Sequence, residues 1–89
     1  MHVRERLGRN LRQLRVDKQL SQERLGLEAG IDRSYVGRVE RGLENVTLDT
    51  MLAFATALEV DVSALLAEID PNTPMPAALP SGRKPKVKR

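Results

Sequence analysis

Residues 22–41 read QERLGLEAGIDRSYVGRVER, and the spacing within this stretch decides the fold. Leu25 and Ala29 share one helical face, and Val36 and Val39 share another with Tyr35 beside them. Ser21 stands where the first of these two short helices needs an N-cap, and Asp32 stands where the second does. Gly30 can take the positive φ that the chain reversal between them requires, and Gly42 can supply a left-handed turn at the end. For both helices to pack, Leu25, Ala29, Ile31, Val36 and Val39 must all face inward, and Gly26 must be small where the helices cross. The short connection leaves the second helix at a steep angle to the first, the geometry of a helix-turn-helix unit.

Working outward, Val3, Leu7, Leu11 and Leu14 recur at helical spacing with arginines between them, which predicts a first helix over residues 3–18. Thr47 caps a fourth helix carrying Leu48, Met51, Leu52, Ala55 and Leu58, and Asp61 caps a short fifth with Val62, Leu65 and Leu66. With neither strand alternation nor an internal repeat, the expectation is an all-α domain of five helices over residues 1–69. From Asp70 the composition changes abruptly to PNTPMPAALPSGRKPKVKR, which holds all five prolines. Such a segment buries too little apolar surface to offset its ordering entropy, so residues 70–89 are predicted to form a disordered basic tail.

Composition removes several functional classes. Cysteine is absent and His2 is the single histidine, which excludes disulfides, thiolate metal sites and Cys/His catalysis. There is no nucleophile beside a base and no phosphate loop, and Ser21 and Ser34 have helix-start explanations; no enzyme, cofactor or metal is expected. No apolar run approaches the ~20 residues that span a bilayer, and MHVRERLGRN has no apolar signal-peptide core, so a cytoplasmic location without membrane contact is the expectation. Charge is segregated along the chain. Residues 1–41 hold ten basic and six acidic groups, residues 42–70 hold six acidic and no basic ones, and the tail adds five basic ones. One face suited to a polyanion and another suited to something else follows from that pattern.

LSQERLGLEAGIDRSYVGRVERG, followed by NVTLDTMLAFATALEVDVSALL, closely resembles the phage-repressor and Cro type of helix-turn-helix proteins, the XRE-type family. The resemblance covers about residues 4–69, and it implies a compact five-helix repressor-like domain that binds double-stranded DNA, commonly as a dimer, and regulates transcription. The fragment SYVGRVERGLENVTL is also similar to controllers of restriction-modification systems. Gly26 stands where the family commonly has alanine and Gly37 where it often has serine; a glycine inside a helix costs ~1 kcal/mol relative to alanine.

A recognition helix reads the major groove with side chains near its N-terminus and along one exposed face, here a helix over about residues 32–41. Position by position, the resemblance carries base reading to Arg33, Ser34 and Arg38, and a DNA-backbone contact to Gln22 at the opening of the preceding helix. Arg41, next to the helix end, is assigned to phosphate. Arg4, Arg9 and Arg12 on the first helix either reach the DNA backbone or form a solvated face. Arg15 and Glu40 each border an apolar stripe, and the family often pairs these positions, so they are assigned to the fold as a partly buried ion pair.

The apolar C-terminal half suggests a homodimer, with Leu65, Leu66 and Ile69 nearest the interface. Such a dimer would set two recognition helices ~34 to 36 Å apart on a palindromic operator. The basic tail has three readings: attraction to DNA phosphates, a solubilising end, and, weakly, a nuclear-localisation signal. An alternative function is the antitoxin of a toxin-antitoxin pair, binding DNA and also a protein partner through residues 70–89. RNA binding is less favoured, because Tyr35 and Phe54 are the only aromatics and cannot build a stacking platform.

Overall fold

The computed structural model describes residues 1–74. Four α-helices follow one another, α1 (Val3–Asp17), α2 (Gln22–Ala29), α3 (Arg33–Glu40) and α4 (Leu48–Leu58), and a 3₁₀ helix, Val62–Leu66, closes the domain. The all-α repressor-like architecture therefore holds, with one change: the fifth helix is 3₁₀ rather than α. Its first turn closes with the tighter bond from the Ala64 N–H to the Asp61 carbonyl at 2.9 Å, as short helical pieces commonly do. The carbonyls of Leu65 and Ala67 accept bonds from the side-chain amide of Asn10 on α1, at 3.0 and 2.9 Å.

Each element begins with the cap that its sequence prescribes. Ser21, Asp32, Thr47 and Asp61 accept from the backbone N–H of Arg24, Ser34, Thr50 and Ser63 respectively. His2 caps α1 in the same way through Nδ1, which accepts from the N–H of Arg4. At the far ends, Gly30 and Gly42 lie at φ +72° and +75°. The chain closes back from Ile31 to the Gly26 carbonyl at 2.8 Å and from Leu43 to the Arg38 carbonyl at 3.0 Å.

The aspartate caps carry a pH signature. Asp32 and Asp61 are held below the ordinary carboxyl value, first by the hydroxyl of Ser34 or Ser63 donating to them and next by that serine's backbone N–H. A lowered folded-state value means that the caps contribute fully above the unfolded value of 3.8 and lose that contribution as pH falls through the folded one. The melting temperature should therefore fall as the pH is lowered below 3.8, and by less in an Asp32→Asn, Asp61→Asn variant, whose amide caps do not titrate.

The core is Leu7, Leu11, Leu25, Val36, Val39, Met51, Phe54, Ala55, Leu58 and Leu65, with Ala29 and Ile31 packed against it. Leu65 is 0% exposed. This corrects its assignment to a dimer surface: the side chain faces α1 and α4 and has no area to offer a partner, whereas Leu66 and Ile69 keep some surface. Leu48 and Leu52 on α4, 74% and 55% exposed, are left uncovered in this half, as is Leu43 in the turn before it.

Where α1 crosses α3, a Cβ on Gly8 would lie 2.4 Å from the Val39 carbonyl oxygen and 2.7 Å from that of Glu40. Neither can yield without moving the helix that carries the candidate site. A Cβ on Gly37 would meet only the flexible ends of Arg41 and Gln22, at 3.6 Å. The two glycines are thus expected to respond oppositely to alanine. Gly8→Ala should destabilise by ~1 to 3 kcal/mol through overpacking, and Gly37→Ala should stabilise by ~0.5 to 1 kcal/mol through helix propensity. Urea unfolding of both variants beside the parent reads the two signs directly.

Residues 70–74, the first part of the predicted tail, form a turn against α1, where Arg9 Nη2 donates to the Thr73 carbonyl at 2.6 Å. The remainder of the tail, with its DNA-attraction, solubilising and partner-binding readings, lies outside the described residues. No helix among the described residues is long and apolar enough to cross a membrane.

Candidate nucleic-acid interface

The N-terminus of α2 and the outer face of α3 enclose one shallow concavity lined by Ser21, Gln22, Glu23, Arg33, Ser34, Gly37, Arg38 and Arg41. All five residues assigned to DNA from the sequence lie on it. The reason is local: Val36, Val39 and Glu40 turn inward, and at 100° per residue Ser34 and Arg38 fall on the opposite side of α3, with Arg33 at its exposed start.

The five differ in how they are held. The Arg33 side chain is 68% exposed and, among the described residues, has only a long ion pair, Nη1 to Glu23 at 3.6 Å. Arg38 is restrained from two sides: its Nε donates to Glu44 at 2.7 Å, and its guanidinium lies over the Tyr35 ring, 5.5 Å from the centroid. Ser34 donates its hydroxyl to the Asp32 carboxylate, which leaves its lone pairs to accept from a ligand. Arg41 is exposed and makes no ion pair among the described residues.

Gln22 is tied to the domain interior. Its Nε2 donates to Glu40 Oε1 at 3.0 Å, and Glu40 in turn takes two bonds from Arg15, from Nε at 2.6 Å and from Nη2 at 3.1 Å. Both members of that ion pair are buried, with side chains 6% and 3% exposed, so the expected partly buried pair is an almost fully buried one. Arg15 also donates from Nη1 to the Leu20 carbonyl at 2.8 Å, fixing the loop that leads into α2. The floor of the concavity is therefore anchored to the core by a chain of charged hydrogen bonds running from Gln22 to Leu20.

Nothing in the local sequence pattern gives Glu44 a role beyond its charge. It lies six residues beyond Arg38, past a glycine turn, and helical spacing gives no reason to join the two. The turn does join them, because the bond from Leu43 to the Arg38 carbonyl brings the chain back beside α3. Among the described residues no group of three His, Cys, Asp or Glu side chains could hold a metal ion.

Comparison with known proteins agrees with this geometry. The helix-turn-helix family matches residues 11–65, more than half of the chain. The chain belongs to that family. Among its relatives, the control protein C.SmaI of Serratia marcescens is 44% identical over 66 residues, covering 74% of this chain and 79% of that protein. Among solved structures, the restriction-modification controller protein C.AhdI from Aeromonas hydrophila matches with a TM-score of 0.68 and 50% identity, over 70% of this chain and 94% of the other. The hypothetical transcription factor NHTF from Neisseria matches with a TM-score of 0.72 and 41% identity, over 74% and 76%. This helix-turn-helix protein is thus of the XRE type, closely related to restriction-modification controllers, and its class is one of DNA-binding transcriptional regulators rather than enzymes.

Proposed function

We propose that the protein regulates transcription by binding a palindromic duplex operator as a homodimer, and that the genes it controls include those of a restriction-modification system. The observation that carries this reading is the convergence of Gln22, Arg33, Ser34, Arg38 and Arg41 on one concave, solvent-facing surface built around α3. In the proposed complex α3 enters the major groove. Arg33 and Arg38 meet guanine edges, Ser34 accepts from a base, and Gln22 and Arg41 bond to the phosphates on either side. The gene setting is inferred from the similarity to C.AhdI, which is named as a restriction-modification controller protein.

The dimer is assigned to the half of the chain without basic groups, with Leu66 and Ile69 contributing their remaining surface and the exposed Leu48 and Leu52 of α4 adding to it. Two copies related by a two-fold axis present the same surface to two half-sites, which makes the site palindromic. Selection from a pool of random duplexes tests the whole reading. It should enrich a palindrome whose half-sites are about one helical turn apart. Enrichment of no sequence would overturn the proposal, and sedimentation showing only monomer at micromolar concentration would remove the dimer.

A further inference from the structure

We infer that Glu44 is a specificity-determining positioning residue, which holds Arg38 so that the guanidinium is offered to a base edge and withheld from phosphate. The inference rests on the proposed reading of α3 as a recognition helix. The Glu44 carboxylate occupies Arg38 Nε at 2.7 Å, and the ring of Tyr35 lies against the guanidinium. An arginine held at Nε still has both terminal nitrogens available, and these two can meet the O6 and N7 of one guanine together. It cannot swing freely to follow the phosphate backbone. The side chain of Glu44 is itself only 27% exposed, so the tether is partly shielded from solvent and counterions.

Charge acts in the same direction. Glu44 beside Arg38 offsets its net charge, and net charge is what draws a protein to DNA of any sequence. Guanine recognition depends on donors placed at the right spacing, which the pairing leaves intact. Glu44 thus lowers affinity for random DNA more than affinity for the operator, and specificity is the difference between the two. Arg33 supplies the contrast: its ion pair is 3.6 Å long and its side chain 68% exposed, so it is not held in this way.

The test compares the full chain with its Glu44→Ala and Glu44→Gln variants on two duplexes, one enriched by the wild-type protein from a random pool and one scrambled from it. Glu44→Ala should tighten binding to the scrambled duplex by about threefold to tenfold and steepen its salt dependence by about one phosphate per subunit. It should leave the enriched duplex unchanged or bind it more weakly, so that the specificity ratio falls by about threefold to tenfold, and by more where binding to the enriched duplex also weakens. Glu44→Gln keeps an oxygen acceptor for Nε and should keep part of the ratio. In an Arg38→Ala background, Glu44→Ala should no longer change the ratio, a result that a purely structural role of Glu44 would not give. Equal tightening on both duplexes, or no change on either, overturns the inference while leaving the recognition-helix reading in place. Failure of the wild-type selection overturns that reading instead.

Discussion

Replacing Glu40 with alanine should lower the stability of the domain by ~3 to 5 kcal/mol, because it strands a buried guanidinium. Arg15 and Glu40 meet through two bonds at 2.6 and 3.1 Å with almost no solvent contact. Without the carboxylate, Nε and Nη2 of Arg15 face an apolar interior with no acceptor, and Gln22 Nε2 loses its partner as well. A domain of this size has a total stability on the order of 4 to 10 kcal/mol, so the variant retains little margin. Its melting temperature should fall by about 15 °C or more. Glu40→Gln preserves one acceptor and should cost about half as much. The double replacement Arg15→Met, Glu40→Leu removes both charges and should recover most of the loss, as buried pairs exchanged for apolar side chains commonly do. An alanine variant that melts with the wild type would show that the pair is dispensable.

The same network links stability to recognition. Gln22 lines the concavity and is held by Glu40, so a variant that folds without Glu40 still loses the alignment of the proposed DNA-backbone contact. The proposed phosphate contact is thereby set from inside the core, two bonds away from Arg15.

Features decided within a few residues were legible in the sequence. The four caps at Ser21, Asp32, Thr47 and Asp61 are of this kind, because a side-chain oxygen reaches a backbone N–H only two or three residues on. The inward positions Leu25, Val36 and Val39 were legible for a related reason, since helical periodicity alone fixes which side of a short helix is buried. Features that depend on two distant segments meeting were not. Gly8 looks like an unremarked helix residue until α3 lies against it. Leu65 looks available until α1 covers it, and Glu44 becomes a partner of Arg38 only after the chain has turned at Gly42. Two helices end without a glycine. Gln19 and Glu59 adopt the left-handed conformation at φ 59° and 60°, and each closes its helix with the hydrogen bonds that a glycine would make. Lys18 pairs with Glu59, which draws the α1 and α4 ends together and holds the Glu59 carboxyl below its ordinary value.

Loss of both Arg33 and Arg38 should have the largest effect on DNA binding, and it should fall on sequence rather than on affinity in general. One bidentate arginine–guanine pair is worth ~1 to 3 kcal/mol of discrimination. In the proposed dimer each arginine acts twice, so one substitution to alanine should weaken operator binding by ~2 to 6 kcal/mol while changing random-duplex binding far less. Arg41→Ala should behave in the opposite manner, weakening both duplexes together and reducing the salt slope by about one phosphate per subunit. The two base-reading candidates should also be unequal. Arg38 is already restrained by Glu44 and Tyr35, so little conformational freedom remains to be lost when it meets a base. Arg33 is largely exposed and must be immobilised on binding, which offsets part of its contact energy. Arg38→Ala should therefore cost more than Arg33→Ala on the enriched duplex, and repeating the selection with each variant should relax different positions of the half-site. If the double variant enriches the same sequence as the wild type, neither arginine reads a base, and the specificity of α3 must come from Ser34 or from the shape of the DNA.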